Sequence, residues 1–213
     1  MKLLLIAILL PISLLACNIS GVKGSGVIIE EKRQVTPFTA VEISGGYTLT
    51  LSVGAKESLT LSGDDNLLPL IESSVEAGVL KLKNKKAISP KSPIVLKITT
   101  KSLSSLKIFG SLSGSVSGVS GGPFAASVSG SCSLTVTGKC DALKIRIAGS
   151  GNVNARGLSA KSAHTTISGS GKIAVAVTDS IHAKISGSGE ISYAGNPSKV
   201  EKSISGSGKI FKQ

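Results

Sequence analysis

Apolar and polar residues alternate along most of this chain, as between Lys172 and Val177. Such alternation is typical of β-strands with one buried face, whereas amphipathic helices repeat their apolar residues with a period of about 3.6. The alternation is interrupted at regular intervals by glycine-rich phrases. The pattern therefore predicts short strands that are separated by tight corners.

The glycine-rich phrase is itself a repeat: an aliphatic residue, Ser or Ala, Gly-Ser-Gly, a polar residue and an aliphatic residue. It occupies residues 147–153, 167–173, 185–191 and 204–210, and degenerate copies begin at Val128 and Ile108. The first glycines, which we predict to be the repeat corners, are 20, 19, 20, 18 and 19 residues apart: Gly110, Gly130, Gly149, Gly169, Gly187 and Gly206. Helical repeats need about 33 residues or more, so this period favours two strands and two turns per repeat.

One coil of a parallel β-helix per repeat accounts for this period. In such a solenoid each strand pairs with its counterpart in the coils above and below, and equivalent residues stack in columns. The predicted inner columns are Val128, Ile147, Ile167, Ile185 and Ile204, and Leu134, Val153, Ile173, Ile191 and Ile210. Asn152, Lys172, Glu190 and Lys209 are predicted to form an outer polar ladder. We expect an all-β, single-domain solenoid with coils of about 19 residues.

The pattern is looser between Val27 and Lys107. Residues 43–49 and 61–67 are weaker copies of the phrase and are predicted to be the first coils. One short helix is predicted near residues 67–76, because Asp65 or Asn66 can cap it, Pro69 is tolerated in a first turn and Gly78 can end it.

The N-terminal residues are typical of an exported lipoprotein. Met1-Lys2 precedes an apolar run from Leu3 to Ala16, and Cys17 follows directly. The run is too short to span a bilayer, so we interpret residues 1–16 as a signal peptide. The ending resembles a bacterial lipobox, which implies acylation of Cys17; an ordinary signal peptide with an incidental cysteine is the alternative. We expect residues 17–26 to be a lipidated tether and residues 27–213 to be the β-helix domain, with the outer membrane favoured because Asn18 replaces the aspartate of a retention signal.

The charge of the chain points to an anionic partner. Lys and Arg number 24 against 12 Asp and Glu, which gives a net charge of +12. A candidate basic patch comprises Lys81, Lys83, Lys97 and Lys107, and anionic envelope polysaccharide or lipid headgroups would complement it. The alternative is that these lysines keep exposed strands from aggregating. Nucleic acid is not expected, because the protein is exported and its basic residues lack interleaved aromatic ones.

Candidates for catalysis or metal binding are few. His164 and His182 fall in one outward-facing column with Lys144 and Glu201, which we interpret as a solvated ladder rather than a metal site. The four aspartates offer no paired catalytic carboxylates, and no phosphate-binding glycine loop is present. Cys132 and Cys140 are expected to be buried thiols rather than a disulfide. We therefore expect no catalytic residue, cofactor or metal.

Several segments resemble one bacterial family. They are D-D-N-L-L-P-L-I at residues 64–71, G-V-L-K-L-K at 78–83 and the Gly-Ser-Gly phrases. Together they resemble the "putative auto-transporter adhesin head domain", or GIN domain, over residues 27–212. The resemblance implies a right-handed parallel β-helix in secreted or lipid-anchored envelope proteins. The family name suggests adhesion, and no catalytic residues are carried over.

Three functions follow as hypotheses. The first is a non-enzymatic, lipid-anchored envelope protein that is structural or adhesive and presents the extended faces of a solenoid. The second is a glycan-binding or glycan-processing protein on the same scaffold; clustered acidic residues in one groove would favour processing, and the sequence shows none. The third is an assembly subunit that self-associates through the end of the β-helix, unless Phe211 caps the core there.

Overall fold

The computed structural model describes residues 21–213, and its regular structure is β apart from one 3₁₀ turn. The strands are β1 (Val22–Lys23), β2 (Ile28–Arg33), β3 (Ala40–Val53), β4 (Ser58–Asp64), β5 (Ile71–Glu76), β6 (Val79–Asn84), β7 (Ile88–Ser89), β8 (Val95–Thr100), β9 (Ser105–Val119), β10 (Pro123–Gly149), β11 (Asn152–Gly169), β12 (Lys172–Gly187), β13 (Glu190–Ala194), β14 (Lys199–Ser205) and β15 (Lys209–Lys212). β1 pairs with β7, and the remaining strands form one large sheet. Within residues 21–213, no helix is long and apolar enough to cross a membrane. The all-β prediction is confirmed.

Strands β9 to β15 pair in parallel at the spacing of the sequence repeat. β10 lies between β9 and β11, β12 follows β11, and β13, β14 and β15 complete the stack. Ile167 lies opposite Ile147 on one side and Ile185 on the other. Equivalent residues of successive repeats are therefore neighbours in space, as the repeat predicted.

The repeat corners share one backbone conformation. The six predicted corner glycines have φ between 113° and 126°, a region that disfavours residues with a Cβ atom. The second glycine of each phrase has no positive φ, which explains how Leu112 and Cys132 can occupy that position. The corners thus depend on the first glycine, where the chain turns from one strand direction to the next.

The inner columns form the core, with an exception at the last coil. Val128, Ile147, Ile167 and Ile185 are at most 2% exposed, whereas Ile204 is 45% exposed. β14 pairs on one side with β12 and has no strand on its other side within the described chain. The prediction that Ile204 lies inside is therefore wrong, because the last coil has no neighbour to cover it. Phe211 is also exposed and does not cap the core.

The N-terminal half makes the sheet mixed rather than purely parallel. β3 continues the parallel stack, since it pairs in parallel with β9 and places Gly45 opposite Gly110. β4, by contrast, runs antiparallel to both β2 and β8. The prediction of a coil at residues 61–67 is wrong, because Gly63 lacks the positive φ that turns the chain at Gly45.

The predicted helix at residues 67–76 is also wrong. Leu68–Leu70 form a 3₁₀ turn, and β5 then pairs antiparallel with β6. Arg33 donates to the carbonyl oxygens of Leu68 at 2.8 Å and Ile71 at 2.6 Å, so these acceptors are satisfied without a helix. Ala77 and Gly78 both have positive φ, as a tight hairpin turn requires, and so allow β6 to fold back on β5.

The folded part of the chain begins before the predicted boundary at residue 27. β1 pairs with β7, and the backbone N–H of Gly26 donates to the buried carboxylate of Asp64 at 2.6 Å. Asp64 also accepts from the backbone N–H of Lys91 at 3.1 Å, so it joins two loops. Residues 22–26, which were predicted to be part of the tether, therefore pack on the domain.

The predicted signal peptide and Cys17 lie outside the described residues.

Candidate binding face

A row of exposed cations and hydroxyls runs along the parallel strands. In each coil, one outward-facing residue directly precedes the aliphatic residue of the first inner column. From β9 to β12 these residues are Lys107, Ser127, Arg146, Thr166 and Lys184, here called the cation column. Lys107 is paired with Ser127, Arg146 with Thr166, and Thr166 with Lys184. The column thus alternates a cation and a hydroxyl from coil to coil.

Four residues of the cation column line a shallow depression of about 550 Å³: Ser127, Arg146, Thr166 and Lys184. Its surface includes the small side chains of Ser129, Ala148 and Ser168, which belong to the neighbouring outward column. Arg146 and Lys184 lie on the same surface, with His164 and His182 on the other side. An extended chain can contact the cation column from the side of Ser129, Ala148 and Ser168, because these small side chains leave the strand surface open there.

The basic patch predicted from the sequence is divided, and three of its four lysines are paired with glutamates. Lys81 contacts Glu76 at 2.7 Å, Lys83 contacts Glu72 at 3.5 Å and Lys97 contacts Glu30 at 3.1 Å. Lys81 and Lys107 lie on either side of Glu42, whereas Lys97 lies in β8 between Thr50 and Thr60. The four lysines therefore do not form one cationic surface.

The cations of the candidate face are not neutralised in this way. Among the described residues, Lys107, Lys144, Arg146 and Lys184 make no salt bridge within 4.0 Å. Except for Lys107, sequence reasoning missed them as a binding surface, because they are far apart in the chain. The parallel pairing of β9 to β12 brings them to one face. The repeat register, applied to the outward positions as well as to the inner ones, predicts that these cations share a face.

The two histidines stack beside the cation column. Their ring centroids are 4.7 Å apart, and Nδ1 of His182 is 2.8 Å from a carboxylate oxygen of Glu201. Lys144 lies opposite His164, as predicted for this ladder. No group of three or more metal-ligating side chains is found in residues 21–213. Burial lowers the pKa of His164, and the positive charges of His182, Lys144 and Arg146 lower it further.

Neutralising those neighbouring charges should change the titration of His164. In a Lys144→Gln/Arg146→Gln variant we expect the pKa of His164 to rise, though burial will keep it below that of a free histidine. The measurement is an NMR titration of the imidazole protons. A Lys101→Gln variant is the control and should leave the titration unchanged. An unchanged pKa in the double variant would contradict the proximity of the cations to this ring.

The two cysteines of the described chain are unpaired and buried. Burial raises the pKa of the Cys132 thiol, and burial together with the Asp141 carboxylate raises the pKa of Cys140 to about 11. Both therefore remain protonated at neutral pH and act as core side chains.

The predicted outer polar ladder is in register. It comprises Asn152, Lys172, Glu190 and Lys209, and the Lys172 ammonium lies 3.9 Å from the Glu190 carboxylate.

Comparison with known proteins identifies a family and a fold. The model of the family described as "Putative auto-transporter adhesin, head GIN domain" matches residues 37–197. A solved structure of a "putative adhesin" from Bacteroides fragilis is 20% identical with a TM-score of 0.71, covering 91% of this chain and 100% of the other. A "putative lipid binding protein" from Parabacteroides distasonis is 26% identical with a TM-score of 0.54, covering 90% of this chain and 99% of the other. A "putative adhesin" from Parabacteroides merdae is 20% identical with a TM-score of 0.50, covering 91% and 99%. None of the curated proteins matches this chain.

Proposed function

Because the chain belongs to the bacterial GIN-domain family of auto-transporter adhesin heads, we propose that it is a non-enzymatic adhesive module of the cell envelope. Its coils form a right-handed parallel β-helix, and a lipid on Cys17 holds it at the outer membrane. The module contacts another surface or polymer through side chains that repeat from coil to coil.

One observation carries this proposal: unpaired cations from every second coil share one continuous face with the hydroxyls between them. Hydrogen bonding between coils keeps the outward residues of β9 to β12 in register over many positions. A rigid, repetitive surface of this kind suits an extended partner, because each coil contributes a similar contact. A small, enclosed active site would instead need several different groups that converge on one point.

The membrane anchor rests on the N-terminal sequence. Leu14-Leu15-Ala16 precedes Cys17, as in a lipobox, and the first described strand starts at Val22. Only four residues lie between Cys17 and Val22 in the sequence, so a lipid on Cys17 would hold the β1 end near the membrane. A single acyl chain binds membranes only weakly, but the several chains of a bacterial lipoprotein hold a protein stably.

Expression of the full chain and of a Cys17→Ser variant in a Gram-negative host tests this function. We expect the wild type in the outer-membrane fraction with an acylated N-terminus, and the variant without acylation and released from that fraction. Cells carrying the wild type should adhere to immobilised envelope polysaccharide more than cells carrying the variant. Equal fractionation would contradict lipid anchoring, and release of sugar products from the immobilised material would contradict a non-enzymatic role.

A further inference from the structure

We propose that the cation column is a binding site for a linear anionic polysaccharide, which lies along the stacking direction of the coils. The inference rests on the proposed function and specifies its ligand. The acidic groups of the polymer pair with Lys107, Arg146 and Lys184, and its hydroxyl groups bond to the serine and threonine side chains between them.

The spacing of the column suits such a polymer. Adjacent coils are separated by about 4.8 Å, so cations in every second coil recur at about 10 Å. Ser127 separates Lys107 from Arg146, and Thr166 separates Arg146 from Lys184. A polymer whose sugars each carry a carboxylate and hydroxyl groups can present an acidic group to each cation and a hydroxyl to each serine or threonine between them. A single small anion would use only one of these positions.

The side chains supply the right chemistry for acidic sugars. The guanidinium of Arg146 can bind a carboxylate or sulfate with two parallel hydrogen bonds, and the lysines add point charges. Ser129 and Ser168 add hydroxyls on the surface of the depression. Phe109 is 43% exposed and lies beside Ser129 at the β9 end of the depression. Its ring offers an apolar surface to the C–H groups of a sugar.

The electrostatic surroundings limit where the polymer can bind. Glu42 lies next to Lys107 at the β3 end, and Glu201 lies next to His182 at the β14 end. Both carboxylates repel a polyanion, so the favourable stretch extends from β9 to β12. Lys81, Lys83 and Lys97 contribute little, because each is already paired with a glutamate.

Binding of the full chain, purified in detergent micelles, to immobilised polygalacturonate tests the site. We expect binding that weakens as salt is added, because exposed charges are screened. An Arg146→Gln/Lys184→Gln variant should bind at least about tenfold more weakly, since two charge-assisted contacts are lost. The control Lys101→Gln/Lys161→Gln variant removes the same net charge from ion-paired lysines and should bind within about twofold of the wild type. Equal melting temperatures would show that all variants fold.

Further measurements distinguish a specific polysaccharide site from general charge attraction and from a lipid-binding surface. Neutral dextran should not bind, and the pKa of His164 should rise when polygalacturonate binds, because an anion then lies beside the ring. Equal losses in both double variants would overturn the proposal in favour of general charge attraction. Binding to phosphatidylglycerol vesicles but not to polygalacturonate would overturn it in favour of a lipid surface. Adhesion of cells by an Arg146→Gln/Lys184→Gln protein at the wild-type level would also overturn this site while leaving the adhesive function intact.

Discussion

Replacement of Gly169 by alanine is expected to lower the free energy of unfolding by about 3 kcal/mol or more. Gly169 has φ +125°, and a Cβ atom there would lie 2.5 Å from the carbonyl oxygen of Gly149 in the preceding coil. The contact is with backbone that is itself held between two coils, so it cannot move aside easily. The variant would have to shift the corner away from Gly149 and weaken the pairing of β10 with β11. Urea denaturation monitored by circular dichroism measures the loss.

Gly46, which lies in an earlier copy of the glycine phrase, provides a matched control. It follows the corner glycine of β3 and has no positive φ, and a Cβ atom there would meet only the carbonyl oxygen of Ser111 at 3.9 Å. Serine occupies the equivalent position in later repeats, as at Ser170. A Gly46→Ala variant should therefore be about as stable as the wild type. Equal destabilisation by the two substitutions would show that the corner geometry is not the cause.

Replacement of Ile167 by alanine is expected to cost about 3 kcal/mol, because it leaves a cavity in the middle of the inner column. Ile167 is 0% exposed and lies between Ile147 and Ile185 in the register of the sheet. The surrounding coils are fixed by backbone hydrogen bonds and cannot collapse into the space. The midpoint of urea unfolding, at unchanged slope, reports this loss.

The same substitution at Ile204 should cost less than about 1 kcal/mol. Ile204 occupies the same place in the repeat, but it is 45% exposed in the last coil. The two variants remove the same atoms, so the difference between them measures the contribution of the coil that covers Ile167. If Ile204→Ala were as destabilising as Ile167→Ala, the end of the stack would have to be covered in solution.

The open end also bears on self-association. Val200 and Ile204 are exposed there, together with the free edge of β14. Lys202, which lies between them in β14, is directed over the ring of Tyr193, 5.2 Å from its centroid, and donates to the carbonyl oxygen of Ile210. A charge directed towards the core at an edge strand opposes the addition of another strand. This arrangement disfavours the stacking of a second copy on β14.

The repeat made much of the second half predictable. Spacing alone predicts one column for Ile147, Ile167 and Ile185, because strand pairing at a constant offset brings equivalent residues together. The corner at Gly169 was predictable for the same reason. Where the spacing failed, as at residues 61–67, the phrase resembled a coil, but Asp64 and its hydrogen bonds to distant loops directed the chain elsewhere.

The amino-acid sequence by itself determined the strand content, the corners and the inner columns of the parallel coils, because these depend on alternation and period, which are local properties. Tertiary structure alone decided three other features. It turned residues 71–84 into a hairpin, since Arg33 reaches the carbonyl oxygens of a remote segment. It exposed Ile204, since burial depends on whether a neighbour is present. It paired some lysines with glutamates and left Arg146 and Lys184 unpaired, because the distance between charges is set by the fold and not by their separation along the chain.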